Sequence, residues 1–179
     1  IASMVVHHRR VEGAAARRAD PERPLPAALR EALAARGISR LYSHQAEALD
    51  AARAGANVLT VTPTASGKTL VFALPVLETA LEERGAKALF LYPTKALAQD
   101  QVGALRELSA ATGRLRPPRF AIYDGDTPDA ERRRIKAEPP DVLVTNPDML
   151  HLGILAHHAE WTPFLAALEW IVVDELHVY

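Results

Sequence analysis

The chain has no cysteine in its 179 residues. Disulfides and thiolate-held metals are therefore excluded, and the composition fits a reducing compartment. No stretch reaches the roughly 20 apolar residues needed for a membrane span. The first ten residues hold no apolar run that would serve as a secretory leader. Neither sign of charge is in excess: 21 Lys and Arg stand against 22 Asp and Glu, a formal net charge of -1. The surface as a whole does not attract polyanions, so any such contact must come from a local patch. What is present is ordinary globular material, 49% apolar and 24% charged, in a length that suits one domain. A domain of this size buries roughly two thirds of its unfolded surface, enough for a core.

Residues 1–24 read as a lead-in, rich in Arg, Ala and Pro and without a sustained period. His7 and His8 within it read as a solvated tail. From residue 25 onward helical and strand patterns alternate. A helix is expected over 27–36, with Leu29 and Leu33 on one face and Gly37 as its stop. Ser43 is placed to cap a second helix running to about Arg53, closed by Gly55. Five apolar runs follow, at 57–61, 88–92, 120–123, 141–144 and 170–173, with helical patterns such as 69–83 and 95–108 between most of them. Runs that stay apolar without alternation belong to strands covered on both faces. Strand–helix repetition of this kind predicts a mainly parallel α/β sheet. Ligands of such sheets bind beyond the carboxyl ends of the strands. Trp161, Phe164 and Leu168 have helical spacing and read as packing residues. Arg132, Arg133 and Arg134 read as a solvated helix face. His157 and His158 read as loop residues, because no further ligand completes a metal site around them.

The first chemistry-bearing segment is Thr62-Pro-Thr64-Ala65-Ser66-Gly67-Lys68-Thr69, between an apolar run and a helix. It approaches the phosphate-loop pattern G-x-x-x-x-G-K-[ST], with Thr62 in place of the first glycine. In such a loop, backbone N–H groups at the helix start bind phosphate oxygens. Gly67 permits close approach, Lys68 neutralises phosphate charge, and the Thr69 hydroxyl is a ligand for Mg2+. Alone, the segment also reads as a Ser/Gly turn before a basic helix start. The second segment weighs against that reading: the last apolar run leads into Asp174-Glu175-Leu176-His177. There Asp174 is the second candidate Mg2+ ligand, and Glu175 is placed to orient and deprotonate an attacking water. Together the two segments specify a site for ATP and Mg2+.

With these segments in place, the sequence resembles the superfamily 2 DEAD/DEAH-box helicases over nearly everything after Pro24. The resemblance implies a RecA-like P-loop NTPase domain, the first motor domain, over 25–179. It assigns adenine recognition to Gln45, with Tyr42 beside it, and the coupling of hydrolysis to movement to His177. Nucleic-acid loops are implied at Tyr92-Pro93-Thr94-Lys95, at Asp124-Gly125-Asp126-Thr127, and at Thr145-Asn146-Pro147-Asp148. In the family these loops grip one strand by its phosphates, which positions it without reading sequence.

The stretches 123–128, 145–151 and 157–161 are further similar to the mitomycin-repair-factor subgroup, which has RecQ-like fungal relatives. That similarity implies a cytoplasmic, nucleoid-associated DNA helicase moving 3′→5′ in repair, acting on single-stranded or tailed DNA. RNA stays open as the substrate of a helicase of the same superfamily, as does a nucleotide-dependent nucleic-acid binding module. Family topology also implies a strand after residue 179 that inserts between the runs at 57–61 and 170–173. It implies a second RecA-like domain as well, whose arginines are needed for turnover. The isolated chain is therefore expected to bind nucleotide with negligible hydrolysis.

Overall fold

The computed structural model describes residues 15–62, 66–82 and 85–179. His7 and His8 lie outside them. The described part of the lead-in is docked onto the domain. Its β1 (Arg18–Ala19) follows residues 15–17, and α1 (Ala27–Ala35) comes next, burying Leu29 and Leu33 and ending at Gly37 with φ +76°. Strand β1 pairs antiparallel with β2 (Leu41–Tyr42), Arg40 bonds Asp20 at 3.0 Å, and the Glu22 N–H donates to Asp50 at 3.0 Å.

Helix α2 (Ser43–Arg53) starts at its expected cap, Ser43, one residue earlier than expected. Tyr42 occupies the capping position, and its N–H donates to Gln45 Oε1 at 2.9 Å. A side-chain amide three residues into the helix thus meets a donor that would otherwise be free. Helix α3 (Lys68–Glu82) packs on α2 through a buried ion pair. Arg53 Nε donates to Glu78 Oε2 at 2.8 Å, and an Arg53 terminal nitrogen donates to Glu78 Oε1 at 2.6 Å.

The rest of the chain builds one parallel sheet. Its elements are β3 (Lys87–Leu91), α4 (Lys95–Ala110), β4 (Phe120–Ile122), α5 (Asp129–Ala137), β5 (Val142–Thr145), α6 (Pro147–Met149), α7 (Thr162–Leu165) and β6 (Leu168–Val173). Between α6 and α7 the chain runs through two irregular helical segments, Leu150–Ile154 and Leu155–Trp161. The strand order is β4-β5-β3-β6, with every neighbouring pair parallel. Ala88 and Phe90 on β3, and Tyr92 just past its end, face the core shared with α1 to α4. Leu89 and Leu91 face a second core with Tyr123, Ile135, Trp161 and Phe164. Burial on both faces is why this run does not alternate. Among the described residues no helix is long and apolar enough to cross a membrane.

Two sequence expectations need correction. Leu168 is not part of a helix with Trp161 and Phe164; it opens β6. The run at 57–61 is in no strand ladder, and Leu59 and Val61 are 73% and 87% exposed. An extended apolar run becomes a strand only where a neighbouring edge meets its N–H and C=O groups. Strand β6 does not pair with it; β6 is bonded to β3, and its outer residues Ile171 and Val173 are exposed.

Candidate nucleotide and nucleic-acid site

The carboxyl ends of β3, β4, β5 and β6 all point one way, and the sequence-marked loops gather there. At the start of α3, Gly67 has φ +76°, a left-handed conformation that suits glycine. Lys68 Nζ donates to the Thr62 carbonyl at 3.2 Å, and the Thr62 and Ser66 hydroxyls are 2.6 Å apart. The Thr69 hydroxyl donates to Gln101 Oε1 on α4 at 3.1 Å. Thr64 and Ala65 lie outside the described residues. Gln45 is brought to this loop: it is buried, and its Nε2 donates to the Gly67 carbonyl at 2.8 Å. Tyr42 lies alongside, its ring stacked with His44 at 5.7 Å and covered by the Arg18 guanidinium at 4.9 Å.

Asp174 follows β6, and its N–H donates to the Leu91 carbonyl at 3.0 Å. Burial holds its carboxyl above the ordinary value, with the Glu175 charge adding to the rise. The Glu175 N–H bond and Lys68 oppose it. Glu175 has φ 51°, the left-handed region, although it is not glycine. Such a backbone costs roughly 1–2 kcal/mol. Its carboxylate is 3.4 Å from His177 Nδ1, and His177 is exposed. Tyr92, one residue past β3 as Asp174 is one residue past β6, is fully buried. Burial, then the charges of Asp174 and Tyr179, push its phenol above its usual range.

The second set of loops stands along the same end. Thr94 caps α4 by accepting the Leu97 N–H at 3.3 Å, with Pro93 half-buried before it. Lys95 and Asp126 form an exposed ion pair, which raises the lysine's affinity for its proton. Gly125 is exposed beside the Lys95 ammonium. Asn146 caps α6, accepting the Met149 N–H at 2.9 Å, and Asp148 is exposed.

Thr145 differs from its expected place on the nucleic-acid surface. It is buried, and its hydroxyl donates to the Tyr123 carbonyl at 2.6 Å, tying β5 to β4. Arg132 is likewise not a solvated side chain. It donates to the carbonyls of Thr127 at 2.7 Å, Asp124 at 2.9 Å and Gly125 at 3.3 Å, and its guanidinium lies over the Tyr123 ring at 5.3 Å.

The sequence pattern of the DEAD/DEAH box helicases matches residues 42–179, well over half of the chain. The chain belongs to the DEAD/DEAH box helicase family. It is 45% identical to the ATP-dependent helicase YprA of Bacillus subtilis, over 88% of this chain and 21% of that protein. It is 42% identical to the ATP-dependent helicase HRQ1 of Saccharomyces cerevisiae, over 77% of this chain and 13% of that protein. The crystal structure of the DUF1998 helicase MrfA bound to DNA and AMPPNP matches with TM-score 0.88 and 41% identity. The match covers 94% of this chain and 23% of that one. The chain thus spans about a fifth of the length of YprA and of MrfA. Its mixed α/β architecture, a four-stranded parallel sheet flanked by helices, is the RecA-like helicase fold.

In this DEAD/DEAH box helicase domain the two candidate metal ligands are of the type that Mg2+ takes. Thr69 and Asp174 offer hard oxygen donors, one neutral and one anionic, and Lys68 stands by to balance phosphate charge. Among the described residues no group of three or more His, Cys, Asp or Glu encloses a metal by itself. The residue near the site whose role in holding a loop the sequence reading missed is Arg132. Nothing in the sequence separates it from the exposed Arg133 and Arg134 beside it.

Proposed function

We propose that this chain is the ATP-binding motor domain of an ATP-dependent DNA helicase or translocase, working 3′→5′ in DNA repair in the bacterial nucleoid. One observation carries the reading. The start of α3, tied to α4 by the Thr69–Gln101 bond, and Asp174 at the end of β6 stand at the same sheet end as the loops at 93–95, 124–127 and 146–148. The names of YprA and HRQ1 as ATP-dependent helicases support it, as does the DNA- and AMPPNP-bound state of MrfA.

Lys68 and the N–H groups at the start of α3 bind the phosphates of ATP. Thr69 and Asp174 hold Mg2+, which supplies positive charge to the phosphates. Glu175, set by its left-handed backbone, orients the attacking water and takes its proton. His177, within reach of Glu175, links hydrolysis to domain movement. Gln45 holds the loop at Gly67 and reads adenine beside Tyr42. Pro93, Thr94, Lys95, Gly125, Asp126, Asn146 and Asp148 form the track for the nucleic-acid backbone. A second RecA-like domain supplies the arginines of the transition state, so this chain alone binds nucleotide without appreciable turnover.

ATP hydrolysis by the intact polypeptide, with and without single-stranded DNA or RNA, tests the reading. DNA is expected to stimulate hydrolysis strongly, and Lys68→Ala to abolish it. Stimulation by RNA alone would move the protein to the RNA helicases. Stimulation by neither would remove the loops from the nucleic-acid track. Glu175→Gln is expected to retain nucleotide binding and to lower turnover by roughly 100-fold or more, the ordinary contribution of a general base. Undiminished hydrolysis by that variant would take Glu175 out of the role.

A further inference from the structure

Tyr92 is the residue at which β3 passes into the loop at 93–95. Its side chain is wholly buried, its ring packs against Phe90 at 6.3 Å, and its hydroxyl has no hydrogen-bond partner among the described residues. A buried hydroxyl without a partner is costly, and phenylalanine would fill the same volume without that cost. The orphan therefore points to something the hydroxyl meets when the site is filled.

The register of the sheet says what stands beside it. Leu91 is opposite Val173, and the Asp174 N–H donates to the Leu91 carbonyl. The next pair along these parallel strands is Tyr92 and Asp174. Side chains paired in this way share one face of a sheet. Alternation agrees, since Phe90 and Tyr92 on one strand and Trp170 and Val172 on the other pack into the same core. Helix α3 covers that face, and Lys68 begins α3. One oxygen of Asp174 already accepts the Glu175 N–H at 3.0 Å. A donor at the other oxygen would fix the rotation of the carboxylate.

Resting on the ATP and Mg2+ reading above, we propose that the Tyr92 hydroxyl is the donor that positions Asp174 for the metal–nucleotide complex. Tyr92 is then a positioning residue, acting on the metal through Asp174. Pro93 follows it directly and stiffens the link to Thr94 and Lys95.

Tyr92→Phe in the intact polypeptide tests this, because it keeps the ring and its packing. AMPPNP binding is followed while Mg2+ is titrated, and again in EDTA. The variant is expected to need roughly ten-fold more Mg2+ for half-saturation, the scale on which partners of metal ligands act. Its AMPPNP affinity in EDTA should match the wild type. The melting temperature without nucleotide should be unchanged or higher. An unchanged Mg2+ requirement would overturn the proposal. A lower melting temperature without nucleotide would also overturn it, by showing that the hydroxyl has a structural partner in the empty protein. If the wild-type protein itself fails to bind AMPPNP with Mg2+, the ATP-site reading falls and this inference falls with it.

Discussion

Replacing Glu78 by alanine is expected to lower the melting temperature of the domain by roughly 10 °C. The Glu78 carboxylate is only 4% exposed and accepts two hydrogen bonds from Arg53, which is 12% exposed. Its hydrogen bonds hold the Arg53 guanidinium above its ordinary pKa, against the cost of burial. Truncation leaves a guanidinium in a largely dry site, with Asp50 at 3.4 Å as its remaining carboxylate. Stranding one half of a buried pair costs about 3–5 kcal/mol. A domain of this length loses roughly 2–4 °C per kcal/mol.

Thermal melting followed by circular dichroism checks the value. The double change Arg53→Met with Glu78→Leu is expected to recover most of the loss, since apolar replacement of a buried pair is often neutral. A fall of about 2 °C or less in the single variant would mean that the pair is in effect solvated. The consequence is functional as well as structural: this pair locks α2, which carries Gln45, to α3, which begins at Lys68.

Gly67→Ala is expected to weaken ATP binding by about 100-fold, or about 2.7 kcal/mol. Two separate costs converge. The backbone at φ +76° penalises any side chain by roughly 1–2 kcal/mol. A Cβ would also lie 2.6 Å from Gln45 Nε2, closer than atoms tolerate. Gln45 has little room to yield, being buried and bonded to the Tyr42 N–H. The loop must therefore give up either its left-handed residue or its bond to Gln45. Calorimetric titration of nucleotide measures the loss. Adding Gln45→Ala relieves the clash but not the backbone cost. Because Gln45 is also the proposed adenine reader, the double variant is compared with Gln45→Ala alone: a smaller Gly67→Ala loss in that background would divide the effect between clash and backbone, and an equal loss would assign it to the backbone. Wild-type affinity in Gly67→Ala would show that the loop does not hold phosphate in the proposed way.

How much of this was legible beforehand depends on the range of the interaction concerned. Helix positions came within a residue or two, because periodicity and stop residues act locally: α1 runs to Ala35 before Gly37, and α4 starts after Thr94. Leu168 misled because its i+4 spacing from Phe164 imitates a helix, yet the chain turns and enters β6 there. Thr145 misled because a hydroxyl after a strand reads as a surface donor. Here it faces the Tyr123 carbonyl on the adjacent strand. The run at 57–61 has the composition of a strand but finds no edge, and composition does not report edges.

The sequence by itself determined the fold class, and it marked the candidate phosphate-loop and Asp174–Glu175 segments beside apolar runs. Those follow from residue type at fixed spacing around apolar runs, which is short-range information. Only the tertiary structure decided that Gln45 sits on Gly67, that Arg132 grips the turn at 124–127, and that Tyr92 lies beside Asp174. Gln45 and Gly67 are 22 residues apart, and Tyr92 and Asp174, just past the ends of neighbouring strands β3 and β6, are far apart in the sequence. Such pairs are set by sheet register and helix packing, and hydrogen-bonding partners at that distance leave no mark in the local pattern.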